Sequence, residues 1–167
     1  MMTKDRMMKK RTLIVAGILA GAMLGSAAQA APAVNEGYDW ALRVSDEDRA
    51  DAAILAYEVD GTDDQPLNFT CEEGSNRIFV GISGHSPDLT AIDLVSGEAA
   101  LHVAGTTEAE EMPYFSSTEE IAADAPFFRA FVANGWLRMT DGTASLDMAA
   151  TASGRRAIAD FARFCAG

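Results

Sequence analysis

From residue 38 onward the chain alternates apolar and polar residues in short runs, and in its last third the spacing changes to that of helices. Residues 40–44 and 54–59 alternate on either side of a charged turn at 45–51, which predicts two strands. Gly and Asp dominate 60–66 and end the second strand. Residues 67–73 and 77–82 then flank Gly74-Ser75-Asn76, a connection with the chemistry of a β-hairpin. Period two puts Phe69 and Cys71 on one face. The mate strand supplies Ile78 and Val80 to that face, or Phe79 and Ile82 if a bulge intervenes. Residues 92–95 and 98–103, separated by Ser96-Gly97, read as a second hairpin.

After residue 116 the signals become helical. Ser117 with Glu120 has the form of a capping box and predicts a short helix. Asp124-Ala125-Pro126 opens another, which runs through Phe127, Phe128, Phe131 and Val132 and stops at Asn134-Gly135. A third hairpin joins 136–139 to 145–149 through Asp141-Gly142-Thr143. Ser153 is placed to cap a final helix from Gly154, on which Ile158, Phe161 and Cys165 share the apolar face while Arg155, Arg156 and Arg163 point largely elsewhere. The predicted class is α+β, an antiparallel β-sheet of about six to eight strands with short helices and a C-terminal helix packed on it. One domain, residues 38–167, is expected, and 31–37 and 106–113 are its loosest segments because apolar periodicity lapses there.

The first thirty residues follow a different rule. Lys4, Arg6, Lys9, Lys10 and Arg11 precede an uncharged apolar run at 13–24, and Ala28-Gln29-Ala30 has the small-x-small form of a cleavage site. This predicts a signal peptide, residues 1–30, and a periplasmic protein beginning near Ala31. The competing reading is a retained anchor, but Gly17, Gly21, Gly25 and Ser26 dilute a run barely long enough for a bilayer core of about 30 Å. No cysteine follows the apolar run to accept a lipid. Removing the leader takes five of the 13 basic residues and one of the 25 acidic ones, so 8 face 24 and the formal charge falls from −12 to −16. Such a balance, with no basic cluster, opposes binding to nucleic acid or anionic lipid and suits basic proteins, cations or neutral ligands.

Cys71 and Cys165 are the two cysteines. In an oxidising compartment they are expected to pair, closing a loop of about 95 residues that stabilises the fold by about 4–5 kcal/mol in the chain-entropy description. Two separate thiols, or pairing between chains, are the alternatives. Cys-x-x-Cys spacing is absent, which argues against a redox role.

Catalytic signals are thin. Ser83, His85 and Asp88 fall within the run Gly81-Ile82-Ser83-Gly84-His85-Ser86-Pro87-Asp88, but a nucleophile elbow requires Gly where His85 stands. A small hydrolase using Ser83 and His85 is therefore the enzyme alternative, set against a plain Gly-Pro turn. The two histidines, His85 and His102, lack metal-ligand spacing, and Asp60-Gly61-Thr62-Asp63-Asp64 lacks the alternating ligands of a calcium loop. No metal and no cofactor are predicted. Phe127, Phe128 and Phe131 are the candidate binding residues, as an exposed docking surface, although their helical spacing favours core packing for at least two of them.

The tail, residues 148–165, runs from a predicted strand through Thr151-Ala152-Ser153-Gly154 into a helix that ends at Cys165. Together with an early tryptophan, Trp40, and a mid-chain strand cysteine, Cys71, it resembles VasI-like, type VI secretion-associated periplasmic proteins. Residues 106–125 have no counterpart in that pattern. The resemblance implies an envelope accessory protein and supplies no catalytic residues. The expected function is that of a soluble periplasmic binding or envelope-assembly accessory protein without catalytic activity, with another envelope protein as partner. A purely structural envelope component is the remaining alternative.

Overall fold

Alternation sorts the side chains by face, and strand pairing then assembles the faces into one curved sheet. The computed structural model describes residues 30–45, 52–84, 86–108 and 112–167. The expected leader, apart from Ala30, and His85 lie outside the described residues. The elements are β1 (Tyr38–Ser45), β2 (Ala52–Val59), β3 (Leu67–Glu72), β4 (Ile78–Ser83), β5 (Ala91–Ser96), β6 (Ala99–Glu108), β7 (Tyr114–Ser117), α1 (Pro126–Asn134), β8 (Trp136–Thr140), β9 (Ser145–Ala149) and α2 (Ala152–Ala166). The nine strands form a single antiparallel sheet in the order β1-β2-β3-β4-β7-β6-β5-β8-β9.

The sheet has two halves. In the first, register stacks Leu42, Leu55, Phe69 and Val80 in one row and Val44, Ala53, Cys71 and Ile78 in the next. The mate strand of Phe69 and Cys71 thus supplies Val80 and Ile78, with no bulge. In the second half Leu101, Leu94, Met139 and Leu146 form the corresponding row. Strand β6 belongs to both halves: its first part pairs with β5, and from Gly105 onward it pairs with β7.

Helix α2 lies across the first half, from β1 to β3, and α1 lies on β5, β6 and β8. Helix α1 opens with Pro126 in its first turn and stops at Gly135. Its Phe127, Phe128 and Phe131 are 2, 1 and 0% exposed. Phe131 meets Trp40 with centroids 4.9 Å apart, and Phe128 meets Phe69 at 5.2 Å, so rings from α1 reach into the first half. One buried cluster therefore runs through both halves.

Because neighbours alternate in direction, the two outermost strands of a nine-stranded sheet run parallel. They approach one another, and the sheet curls toward a barrel. Side chains bridge the two edges: Trp40 Nε1 of β1 donates to the Met148 carbonyl of β9 at 3.3 Å, and Asn35 Nδ2, from the segment before β1, donates to the Asp147 carbonyl at 2.7 Å.

The strand number exceeds the expected six to eight because part of the segment expected to be loose is paired. Strand β6 continues to Glu108, and Tyr114–Ser117 forms β7 between β4 and β6. The short helix expected at Ser117 does not form: Ser117 ends β7, its Oγ accepts from the Val80 amide at 3.0 Å, and Glu120 pairs with Arg77. The last helix begins two residues earlier than expected, with Thr151 rather than Ser153 as its N-cap.

Candidate functional site

Directional polar contacts hold both ends of α2. At the N-terminal end, the Asp39 carboxylate of β1 accepts from the backbone amides of Thr151 (3.0 Å) and Gly154 (3.1 Å) and from the hydroxyls of Thr151 and Ser153. The exposed amides of a first helical turn carry partial positive charge, so a carboxylate from another strand caps this helix in the way a local Asp would. Partial burial would raise the Asp39 pKa, but the hydrogen bonds led by Thr151 outweigh it and hold the carboxyl below its ordinary value. Gly154 is required here, since a Cβ on it would lie 2.0 Å from the Asp39 carboxylate. The Thr-Ala-Ser-Gly run of the tail is accounted for by this docking.

At the other end, the turn after β3 terminates the helix. Gly74 N donates to the Phe164 carbonyl at 2.9 Å and Asn76 N to the Cys165 carbonyl at 2.8 Å, satisfying two carbonyls of the last turn that have no partner within the helix. Asn76 adopts a left-handed φ of 54°, and its side-chain oxygen accepts from the Ala123 amide. Cys71 and Cys165 are joined by a disulfide with a Cα–Cα distance of 5.8 Å, spanning 94 positions. Both cysteines are buried, at 4 and 0% exposure. The expected pairing is thus present, and it fixes the same turn that the two backbone bonds hold.

The β3–β4 turn also bounds a surface on the opposite, outer face of the sheet. Register places Ile54, Thr70 and Phe79 side by side across β2, β3 and β4. These positions have the parity of outward residues, yet Ile54 is 39% and Phe79 37% exposed. Ala52, Thr70, Glu72, Ser75, Arg77 and Phe79 line a concavity of about 280 Å³ beside them, with Cys71 behind it. The Arg77 guanidinium sits 5.8 Å over the Phe79 ring, and its Nε donates to Glu120 at 2.5 Å. Farther along the same face, the Tyr114 ring covers Gly81: a Cβ at Gly81 would lie 2.0 Å from the Tyr114 hydroxyl.

The other sequence candidates fall elsewhere. Ser83 is the last residue of β4, paired with Tyr114, and among the described residues no helix intervenes before β5, so they show no strand-turn-helix of a nucleophile elbow around it. Gly81 in that motif is a packing residue under Tyr114. His102 pairs across strands with Asp93, Nδ1 to Oδ1 at 2.8 Å, on the exposed face of β5 and β6. The Asp60–Asp64 segment is a turn in which Thr62 Oγ1 donates to the Val59 carbonyl and Tyr38 donates its hydroxyl to Asp64. Among the described residues no group of three or more His, Cys, Asp or Glu side chains is arranged to hold a metal, and no helix is long and apolar enough to cross a membrane. Phe127, Phe128 and Phe131 are interior residues, which corrects their reading as an exposed docking surface: the face that carries them is the one α1 turns to the sheet.

The outer surface at Phe79 was missed in the sequence, although its signal was there. Ile54 and Phe79 are apolar at positions whose neighbours, Leu55 and Val80, already occupy the inward face. Comparison with protein-family models, with curated proteins and with solved structures found no match to this chain.

Proposed function

We propose that this chain is an exported envelope protein that acts by binding or assembly, without catalysis, through the outer surface of β2–β4, in the manner of the VasI-like accessory proteins its tail resembles. The observation that carries the reading is the row Ile54, Thr70 and Phe79, where two large apolar side chains stand exposed beside a concavity on an otherwise acidic protein. A leader-like N-terminus and a disulfide suit a protein working in an oxidising compartment.

The test is site-specific photocrosslinking in cells producing the protein. Benzoylphenylalanine is placed at position 79 and, as a control, at position 156 on the exposed side of α2. The reading predicts one adduct, identified by mass spectrometry, at position 79 and none at 156. The same products at both positions, or none at either, contradict it.

A further inference from the structure

We infer that the concavity beside Phe79 takes a basic segment of another protein that inserts one large apolar side chain. This rests on the binding role proposed above and names the partner by its chemistry.

Size is the first consideration. At about 280 Å³ the concavity lies just below the roughly 300–1,000 Å³ typical of small-molecule sites, and it is open on the outer face of a sheet. A space of this size accommodates one side chain of a macromolecular partner better than a cofactor. The Phe79 ring, Ala52 and the Thr70 methyl supply its apolar surface, with Ile54 alongside.

Charge selects the flanking residues of that partner. The Arg77 guanidinium is already engaged by Glu120 and stacked over Phe79, which leaves it poorly placed to recruit an anion. Glu72 is an exposed lining residue of the concavity, and Glu73 follows it; among the described residues neither has a basic partner. The remainder of the protein adds to this field, since beyond residue 30 acidic side chains outnumber basic ones 24 to 8. A negative surface of this kind steers basic ligands and repels nucleic acid, anionic lipid and a second copy of the same chain. An apolar anchor flanked by Lys or Arg meets both requirements.

The test pans a random 12-residue peptide display library on the mature, disulfide-bonded protein and on its Phe79→Ala and Glu72→Lys variants. Both substituted side chains are exposed, and circular dichroism verifies that the variants fold. The inference predicts winners in which Lys or Arg flank Trp, Phe or Leu. Their affinity falls about tenfold in Phe79→Ala, as for a central apolar anchor, and about threefold to fivefold in Glu72→Lys, as for an exposed charge contact. Winners without a basic excess, or winners that bind Phe79→Ala equally well, overturn the inference. So does a library that yields no winner. In each of these cases the adduct at position 79 decides separately whether the binding role stands.

Discussion

The two halves of the sheet hold their helices by different means. Helix α2 on the first half is fastened at both ends: Asp39 caps its start, and two backbone bonds and the Cys71–Cys165 disulfide hold its finish. Helix α1 on the second half has no side-chain cap at its start and no covalent link; apart from one hydrogen bond from Asn134 Nδ2 to Ser96 Oγ of β5 at 3.1 Å, it stays in place by burying three phenylalanines. Directional contacts fix the position of an element, whereas apolar burial is non-directional and mainly supplies stability. The fastened half is also the half that carries the exposed Phe79 surface, so the residues framing that surface, Ser75 and Arg77, sit on a turn whose geometry is set by the end of α2.

The largest expected effect comes from removing what the halves share. Phe131 packs against Trp40 and Phe69 of the first half from its place on α1, so Phe131→Ala leaves a cavity at the junction and costs about 3–5 kcal/mol in urea unfolding. Both halves are expected to lose hydrogen-exchange protection together. By contrast, the double variant Cys71→Ala/Cys165→Ala sharpens the difference between them. It lowers stability by about 2–5 kcal/mol, with the added exposure confined to α2 and the β3–β4 turn.

Gly154→Ala attacks the other end of the same helix. Alanine normally improves a helix interior by up to about 1 kcal/mol, but here its Cβ collides with the Asp39 carboxylate, and a loss of about 1–3 kcal/mol is expected in thermal melting. Asp39→Asn is smaller, about 1 kcal/mol at pH 7, in the range of a lost helix cap. Its sign follows from the lowered pKa. The contribution of Asp39 is complete above the ordinary aspartate value of 3.8 and disappears as pH falls through the lower value of the folded state. Wild type and Asp39→Asn therefore differ in stability at pH 7 and converge in strong acid, measured by denaturant titration at a series of pH values.

Tyr57→Phe has the smallest expected effect. The Tyr57 hydroxyl is buried beside the β1–β9 seam, where burial pushes its pKa up against an opposing influence of the nearby Asn35, and among the described residues no group meets it with hydrogen-bond geometry. Deleting it leaves stability unchanged or raises it by up to about 1 kcal/mol.

Most local elements were legible because each depended on nearby residues. Alternation located β1 to β6, Pro126 and Gly135 bounded α1, and the Asp141-Gly142-Thr143 turn located β8 and β9. The cysteine pairing followed from compartment and from the faces of β3 and α2. What was not legible depended on partners distant in sequence. Ser117 and Glu120 have the composition of a capping box, but their polar atoms are used by Val80 and Arg77, some 40 positions away. Ser153 looked like the cap because the true arrangement needs Asp39, more than 110 positions earlier. The joining of the first half of the sheet to the second rests on β7, a four-residue strand between β4 and β6 that is too short to announce itself by period. The site was legible only in part. Helical spacing marked Phe127, Phe128 and Phe131 as apolar without saying that all three face inward, while the outward parity of Ile54 and Phe79 was the better indicator of a surface.

Native-state hydrogen exchange before and after reduction of Cys71–Cys165 tests most directly whether α2 is fastened to the first half. The account predicts that reduction speeds exchange at the amides of Gly74 and Asn76, which bond to the end of α2, and leaves the β8–β9 ladder and α1 unchanged. Equal acceleration in both halves, or no change at Gly74 and Asn76, would contradict it.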